Sequence, residues 1–265
     1  MEVRMTQLLV EGVSRQFPGR RGAGPTRALE PTTIAVEKND FITVLGPSGC
    51  GKSTLLRIVA GLDKPTTGRV VLDGREVKGP GADRGMVFQS YTLFPWLTVA
   101  ENIAFGLAER GMPEKERAEI VADYVQKVGL KGFEHHWPKQ LSGGMQQRTA
   151  IARALANDPE ILLLDEPFGA LDTQTRGLMQ EMLLAIWERE KKTVMFVTHD
   201  IEEAIFLASR VIVMTARPGR IKTEITVDLP HPRDYHMKTT AAFSELKARL
   251  TEEIRAEAVL AATEH

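Results

Sequence analysis

The sequence predicts an α/β fold in which a largely parallel sheet has helices on its faces. Beyond residue 159, short runs rich in β-branched residues alternate with helical segments, as expected when parallel strands are joined by helical crossovers. Near residue 41, a strand-like run leads through glycines directly into a helix. With 265 residues, 43% of them hydrophobic, the chain is long enough to bury a sizeable core.

The first part of the chain is predicted to be rich in strands. Its short β-rich runs are bounded by Gly, Pro and Asp, which is typical of strands joined by turns. The expected strands are Leu8–Val13, Thr32–Val36, Phe41–Leu45, Arg69–Leu72 and Gly85–Phe88. One helix interrupts them, beginning at Gly51 and ending near Ala60 because Gly61 is a typical helix stop.

Residues 98–158 are predicted to form a helical subdomain inserted into the α/β core. Thr98 and Glu101 have the spacing of a capping box, which favours a helix start at this point. The expected helices of this block are Thr98–Glu109, Pro113–Val128 and Ser142–Asn157.

The alternation of strands and helices returns after the helical block. The expected elements are strands Ile161–Leu164, Thr193–Thr198 and Arg210–Met214, helices Thr173–Lys191 and Ile201–Ala208, and a C-terminal helix Tyr235–Ala262. We therefore predict one domain, 1–265, with its core at 1–97 and 159–234 and a helical tail at 235–265.

Charge and cysteine content exclude several classes of protein. Lys and Arg number 34 and Asp and Glu number 35, a net charge of -1, so no basic field indicates a nucleic-acid partner. The single cysteine, Cys50, cannot form an internal disulfide, which fits a reducing compartment. No apolar run approaches the roughly 20 residues needed to span a bilayer, and the N-terminus does not resemble a secretory signal.

The segment Gly46–Ser53, the P-loop, fits the pattern GxxxxGK[ST] between a strand and a helix. Glycines allow backbone N–H groups to surround phosphate oxygens, and the helix N-terminus favours negative charge. Lys52 is expected to reach the β- and γ-phosphates, and the Ser53 hydroxyl to ligate Mg²⁺. The predicted nucleotide-binding residues here are Gly46, Pro47, Ser48, Gly49, Cys50, Gly51, Lys52, Ser53 and Thr54. The alternative is a glycine-rich turn that merely caps a helix.

Two carboxylates follow the buried strand pattern at residues 161–164. Ligands of open parallel sheets bind at the carboxyl ends of strands, so Asp165 is suited to hold Mg²⁺ and Glu166 to polarise an attacking water. Alternatively, the two residues cap the following loop. His199 and Gln89 also follow predicted strands, and each taken alone is compatible with a structural role.

The segment Leu141–Arg148, LSGGMQQR, which we call the signature segment, indicates which class of P-loop protein the chain resembles. Together with the P-loop, Gln89, Asp165-Glu166 and His199, it resembles the ATP-binding subunit of an ABC transporter over about residues 6–230. The resemblance implies a P-loop NTPase core with an antiparallel β subdomain and a helical insertion that contains the signature. P-loop kinases and small GTPases lack this segment.

The resemblance also implies residue roles and a head-to-tail dimer that sandwiches two ATP molecules. Glu166, His199, Gln89 and Lys52 would act in catalysis, and Ser53, Gln89 and Asp165 would hold Mg²⁺. Further nucleotide contacts are implied for Phe17, Ser142, Gly143, Gly144 and Gln146, with Asp172 at the contact with the partner.

The aromatic segment, Tyr91–Thr98, has two open interpretations. It is either a dock for a cytoplasmic helix of a permease subunit or core between lobes. Segments Gly81–Gly85, Leu93–Leu97 and Asp228–Asp234 resemble the nitrate, taurine and alkanesulfonate importer branch, whose members work with a permease and a solute-binding protein at the cytoplasmic face of the membrane. ATPases for polyamines, sugars or phosphate share most of the core, and a soluble ABC protein without a transport role is a further alternative.

Overall fold

The computed structural model describes residues 5–19 and 24–263. In chain order the strands are β1 (Thr6–Phe17), β2 (Thr26–Glu37), β3 (Phe41–Leu45), β4 (Thr67–Leu72), β5 (Arg75–Glu76), β6 (Arg84–Val87), β7 (Ile161–Asp165), β8 (Thr193–Thr198), β9 (Arg210–Met214) and β10 (Ile221–Thr226). The α-helices are α1 (Lys52–Val59), α2 (Val99–Glu109), α3 (Glu114–Lys127), α4 (Gly143–Ala156), α5 (Thr173–Glu190), α6 (Ile201–Leu207) and α7 (Ala241–Thr263). The chain forms two compact units, residues 1–81 with 191–265 and residues 82–190, called the first and second units.

The first unit contains an antiparallel sheet in the order β2-β1-β4-β5. Along β1 apolar side chains recur at every second residue, so Leu8 and Val10 are buried on one face. They lie opposite Val36 and Ile34 of β2 and form a continuous apolar layer with them. This sheet is the antiparallel β subdomain that the resemblance implies.

The first unit also contains strands in the order β10-β9-β3-β8. Strand β3 is parallel to both β8 and β9, whereas β10 is antiparallel to β9. Every residue of β3 and of β8 is buried, because α1 and α6 pack against these strands. The prediction of an α/β fold with a mostly parallel sheet is confirmed.

The second unit combines a parallel strand pair with helices. Strand β6 pairs with β7, and α2 packs against both α3 and α4. The capping box at the start of α2 is present, since the Thr98 amide donates to Glu101 Oε2 at 2.7 Å and the Glu101 amide donates to Thr98 Oγ1 at 3.3 Å. The Thr98 hydroxyl also donates to Glu101 Oε2 at 2.9 Å, and the hydrogen bonds from the amide and the hydroxyl of Thr98 lower the pKa of Glu101.

Several element boundaries differ from the sequence prediction. Strand β2 begins at Thr26 rather than Thr32, and β10 was not predicted because Lys222 and Glu224 interrupt its apolar pattern. The predicted helix at Tyr235 is a 3-10 turn, and α7 begins only at Ala241. The reason is a pair of caps: Asp234 accepts from the His236 amide at 2.9 Å and Thr240 accepts from the Phe243 amide at 3.3 Å.

Candidate functional site

The P-loop lies in the first unit, between the buried end of β3 and the first turn of α1. Gly49 and Gly51 have φ angles of 77° and 108°, a region that glycine enters without steric cost. A Cβ on Gly51 would also lie 2.8 Å from the carbonyl oxygen of Ala28. The pattern of glycines is therefore required both by the backbone turn and by the space around it.

Lys52 folds back over the P-loop. Its side chain is only 4% exposed, and its Nζ donates to the carbonyl oxygens of Gly46 at 2.8 Å and Pro47 at 3.0 Å. Ser53, the next residue, is exposed on the first turn of α1. A buried ammonium group within a loop at a helix N-terminus is an arrangement suited to binding phosphate.

Cys50 lies inside the P-loop rather than on its surface. The residue is 1% exposed, and its Sγ lies 3.0 Å from the position that a Cβ on Gly46 would occupy. The thiol therefore fills the turn as a small apolar group.

His199 leaves the sheet at the same edge as the P-loop. Leu45 of β3 lies opposite Thr198 of β8 in parallel register, so the next residues, Gly46 and His199, follow neighbouring strand ends. The end of β8 is held by polar contacts, because Thr198 Oγ1 donates to Glu203 Oε2 at 2.5 Å and accepts from the Asp200 amide at 3.0 Å. The His199 side chain is exposed beside this ordered strand end.

Asp165, Glu166 and Gln89 lie at or just after the ends of two neighbouring strands in the second unit. Val87 of β6 lies opposite Leu164 of β7, so these residues follow neighbouring carboxyl ends of parallel strands. The Gly169 amide donates to the Glu166 carbonyl at 3.2 Å, and Gln89 Nε2 lies 3.9 Å from where a Cβ on Gly169 would be.

Glu166 has an unusual backbone conformation. Its φ is 44°, which is uncommon for a residue with a Cβ. The turn to Gly169 fixes this conformation, and both Asp165 and Glu166 are half-buried. Two half-buried carboxylates beside an amide can orient a water molecule and hold a hard cation.

The signature segment forms the start of α4 in the second unit. Ser142 is the N-cap, and its Oγ accepts from the Met145 amide at 3.3 Å. A Cβ on Gly143 would lie 2.7 Å from Tyr91 Oη, and one on Gly144 would lie 2.8 Å from Thr175 Cγ2. The two glycines therefore allow close packing as well as exposure of the backbone.

Gln146 and Asp172 both make local contacts in the second unit. Gln146 Nε2 donates to the Leu141 carbonyl at 3.2 Å and so closes the loop before α4. Asp172 Oδ1 accepts from the amides of Gln174 at 3.1 Å and Thr175 at 3.0 Å, which caps α5. Hydrogen bonds from the side chain and the amide of Thr175 lower the pKa of Asp172.

Phe17 lies at the end of β1 in the first unit. Its side chain is 36% exposed, and the Arg15 guanidinium lies 4.6 Å from the ring centroid. Arg15 is held in turn by Asp63 at 2.8 Å. One face of the ring therefore carries a cation.

The aromatic segment in the second unit is only partly buried. The Phe94 ring packs on Trp96 and Phe105 with centroid separations of 5.6 Å and 4.4 Å, while Trp96 remains 66% exposed. Asn102, which is fully buried, fixes the segment: its Nδ2 donates to the carbonyls of Phe94 and Leu97, and its Oδ1 accepts from the Phe94 amide.

Sequence reasoning did not assign the roles of three residues that support these sites. Asn102 positions the aromatic segment, Arg153 donates to the Thr92 carbonyl at 3.0 Å, and Tyr91 packs against Gly143. A polar residue among the buried positions of α2 was the available signal for Asn102. Tyr91 and Arg153 had no comparable signal because their contacts join segments that are distant in sequence.

Comparison with known proteins assigns the family. The family model described as "ABC transporter" matches residues 29–169, more than half of the chain. An uncharacterized ABC transporter ATP-binding protein of Methanocaldococcus jannaschii is 57% identical over 92% of this chain and 90% of its own length. The nitrate import ATP-binding protein NrtD of Synechocystis is 48% identical over 94% of this chain and 98% of its own length. The aliphatic sulfonates import ATP-binding protein SsuB of Bacillus cereus is also 48% identical, over 92% of this chain and 94% of its own length.

Solved structures agree with this assignment. A dimeric ATP-binding cassette in a post-hydrolysis state with ADP and Pi is 35% identical, with a TM-score of 0.73, and covers 84% of this chain and 100% of its own. A dimeric bacterial ABC transporter cassette has a TM-score of 0.75 at the same identity and coverage. No helix among the described residues is long and apolar enough to cross a membrane. The chain belongs to the ABC transporter family, as one of its ATPase subunits.

Proposed function

We propose that this chain hydrolyses ATP to energise an importer of nitrate-type or sulfonate-type anions. The observation on which this depends is the P-loop, in which a buried Lys52 is held by two loop carbonyls at the start of α1. The solute class is inferred from relatives at 48% identity whose names specify import of nitrate and of aliphatic sulfonates.

The first unit would bind the phosphates of ATP. When ATP binds, Lys52 Nζ would leave the carbonyls of Gly46 and Pro47 and contact the β- and γ-phosphates. The backbone N–H groups from Gly49 to Thr54 would surround these phosphates. Pro47 and Ser48 would shape the mouth of the P-loop, and Phe17 would stack on adenine. His199, at the same sheet edge as the P-loop, would donate to the γ-phosphate as negative charge develops there.

The second unit would activate water. Glu166 would accept a hydrogen bond from the attacking water and orient it in line with the leaving group, and Gln89 would hold the same water. Ser53, Asp165 and Gln89 offer oxygen donors, the ligand type that Mg²⁺ prefers, so they fit the cation that the family implies. Bound Mg²⁺ would neutralise phosphate charge.

Two copies of the chain would form the working ATPase. Ser142, Gly143 and Gly144 present a hydroxyl and backbone N–H groups at the N-terminus of α4, an anion site that one copy would offer to the ATP on the other. Gln146 would support this site, and Asp172 would contact the partner. The two similar cassettes are described as dimeric, which supports this arrangement.

The aromatic segment would dock a membrane permease. It adjoins a groove of about 690 Å³ between α2 and α3, whose lining includes Leu97, Phe105 and Val121. Such a groove suits the apolar face of a short helix, with Trp96 as the exposed anchor. A permease that transports anions would place this subunit at the cytoplasmic face of the membrane and receive solute from a binding protein.

Reconstitution tests the proposed solute class. The chain would be purified with its permease and binding protein in vesicles, and ATP hydrolysis measured with nitrate, taurine, an alkanesulfonate, spermidine or maltose. We expect one of the first three to stimulate hydrolysis. Stimulation by spermidine or maltose alone would overturn the solute class. Rates of hydrolysis that are the same with and without the permease would overturn the transport role.

A further inference from the structure

The loop between β9 and β10, residues 215–220, lies against the outside of the P-loop. Arg217 Nε donates to the carbonyl oxygen of Gly49 at 3.3 Å. Gly219 approaches the next carbonyl so closely that a Cβ on it would lie 2.0 Å from the oxygen of Cys50. Two consecutive P-loop carbonyls therefore face this loop, which we call the brace loop.

Holding a carbonyl outward also orients an amide inward. A peptide unit is planar and trans, so its C=O and N–H point in opposite directions. Because the Cys50 carbonyl points towards Gly219, the N–H of Gly51 points away from the brace loop. Anion binding by a P-loop depends on inward N–H groups of this kind, so the brace loop favours the binding conformation.

The brace loop is fixed on the side of β2. The Gly219 amide donates to the Ala28 carbonyl at 3.0 Å, and the Glu30 amide donates to the Gly219 carbonyl at 2.9 Å. These two bonds flank Leu29, which also packs against Gly51. The contacts of Gly219 are therefore shared between β2 and the P-loop.

The brace loop is also fixed by the C-terminal helix. Glu257 of α7 is 5% exposed, and its Oε2 accepts from the Ala216 amide at 3.0 Å, one residue before Arg217. Lys222 Nζ holds the same carboxylate at 3.1 Å and also pairs with Glu253. A buried carboxylate with two partners is a firm attachment, so α7 sets where the brace loop lies.

Arg217 adds positive charge at the P-loop. Its side chain is exposed, and no carboxylate in the part of the chain that the structure describes pairs with it. An unneutralised guanidinium near a phosphate site favours a bound polyphosphate. The hydrogen bond to Gly49 and the positive charge of Arg217 therefore both favour nucleotide binding.

We propose that Arg217 is a positioning residue for the P-loop and that α7, through Glu257, sets nucleotide affinity. This proposal rests on the proposed function, because it requires the P-loop to bind nucleotide. Arg217 holds the Gly49 carbonyl, and Glu257 keeps Arg217 in reach of it. Displacement of α7 then lowers nucleotide affinity without altering any residue that touches the phosphates.

Calorimetric titration of the full chain with Mg·ADP tests the role of Arg217. Loss of one charge-assisted hydrogen bond at a partly exposed site should raise the Kd of Arg217→Ala by about threefold to tenfold. Arg220→Ala removes the same charge from the same loop and should bind as wild type. The thermal midpoint without nucleotide should not change in either variant, because both side chains are exposed.

The role of α7 is tested by a second pair of variants. Glu257→Met keeps the volume but cannot accept from Ala216, and should weaken Mg·ADP binding as Arg217→Ala does; Glu257→Gln retains an acceptor and should bind as wild type. Because both residues act on one contact, the double variant Arg217→Ala/Glu257→Met should bind no more weakly than the weaker single variant. If the increases in Kd of the two single variants multiply in the double variant, or if Glu257→Met binds Mg·ADP as wild type does, α7 does not act on nucleotide affinity through Arg217.

Lys52→Ala separates this proposal from the proposed function. If wild type binds Mg·ADP and Lys52→Ala does not, the P-loop is the nucleotide site. Equal Kd values for Arg217→Ala and Arg220→Ala would then overturn the positioning role alone. Binding that is unchanged in Lys52→Ala would overturn the proposed site itself.

Discussion

Leu45 of β3 lies opposite Thr198 of β8 in parallel register. Because each is the last residue of its strand, the P-loop and His199 emerge side by side at one edge of the sheet. Two segments that are far apart in sequence are thus positioned by a single hydrogen-bonded register. This relationship supports the placement of His199 near the P-loop in the proposed ATPase.

His199→Ala should reduce turnover more than binding. If His199 stabilises charge that develops during hydrolysis, kcat should fall about 100-fold while the Kd for the Mg²⁺ complex of a non-hydrolysable ATP analogue stays within about twofold. Steady-state ATP hydrolysis and calorimetric titration measure the two quantities. His236→Ala is the control, since it removes an exposed histidine of the same unit. A parallel fall in binding and turnover would assign His199 to ground-state binding instead.

Asn102→Ala should destabilise the second unit. Removing the side-chain amide leaves the Phe94 amide and the Phe94 and Leu97 carbonyls without this partner, at a cost of about 2–3 kcal/mol. Urea unfolding followed by circular dichroism measures the free energy of unfolding. Glu109→Ala, at an exposed position of the same helix, is the control. Equal free energies for the two variants would show that Asn102 does not fix the aromatic segment.

Gly144→Ala should create a steric conflict that a second substitution relieves. The new Cβ would lie 2.8 Å from Thr175 Cγ2, and overpacking of this kind costs about 1–3 kcal/mol. Thr175→Ser removes that methyl group but keeps a hydroxyl, so the double variant should recover most of the lost unfolding free energy. If Gly144→Ala is as stable as wild type, close packing is not the reason for this glycine.

Trp96→Ala should uncouple transport from hydrolysis. The side chain is 66% exposed, so its removal should leave ATP hydrolysis by the isolated chain largely intact while abolishing stimulation by the permease in vesicles. Leu178→Ala, which removes a 58% exposed side chain from α5, should retain the stimulation. Equal loss of hydrolysis in the isolated Trp96→Ala chain would favour core packing over docking.

Local signals made much of this molecule predictable from its sequence. The P-loop is recognisable because glycine spacing directly reflects backbone angles, as at Gly49 and Gly51, and the start of α2 because Thr98 and Glu101 hydrogen-bond each other. Edge strand β10 could not be predicted in the same way, since Lys222 and Glu224 interrupt its apolar pattern and pairing with β9 alone defines it.

Contacts between distant segments were beyond the sequence argument. Arg217 appears in the sequence as an ordinary loop arginine. Its importance comes from its hydrogen bond to the Gly49 carbonyl, which is in reach because the nearby residue Gly219 is hydrogen-bonded to β2. The close approach of Tyr91 to Gly143 is of the same type. Such relationships depend on tertiary packing, which no spacing of residues encodes.

Glu166→Gln tests whether this chain is an ATPase that works as an ATP-bound dimer. The amide keeps the shape of the side chain but cannot act as a base, so hydrolysis should fall at least about 100-fold while Mg·ATP still binds. Size-exclusion chromatography with light scattering should then show a dimer that forms only with Mg·ATP, and Glu109→Gln should behave as wild type in both assays. Wild-type hydrolysis by Glu166→Gln would remove Glu166 from its catalytic role, and a chain that stays monomeric with Mg·ATP bound would rule out the ATP-bound dimer.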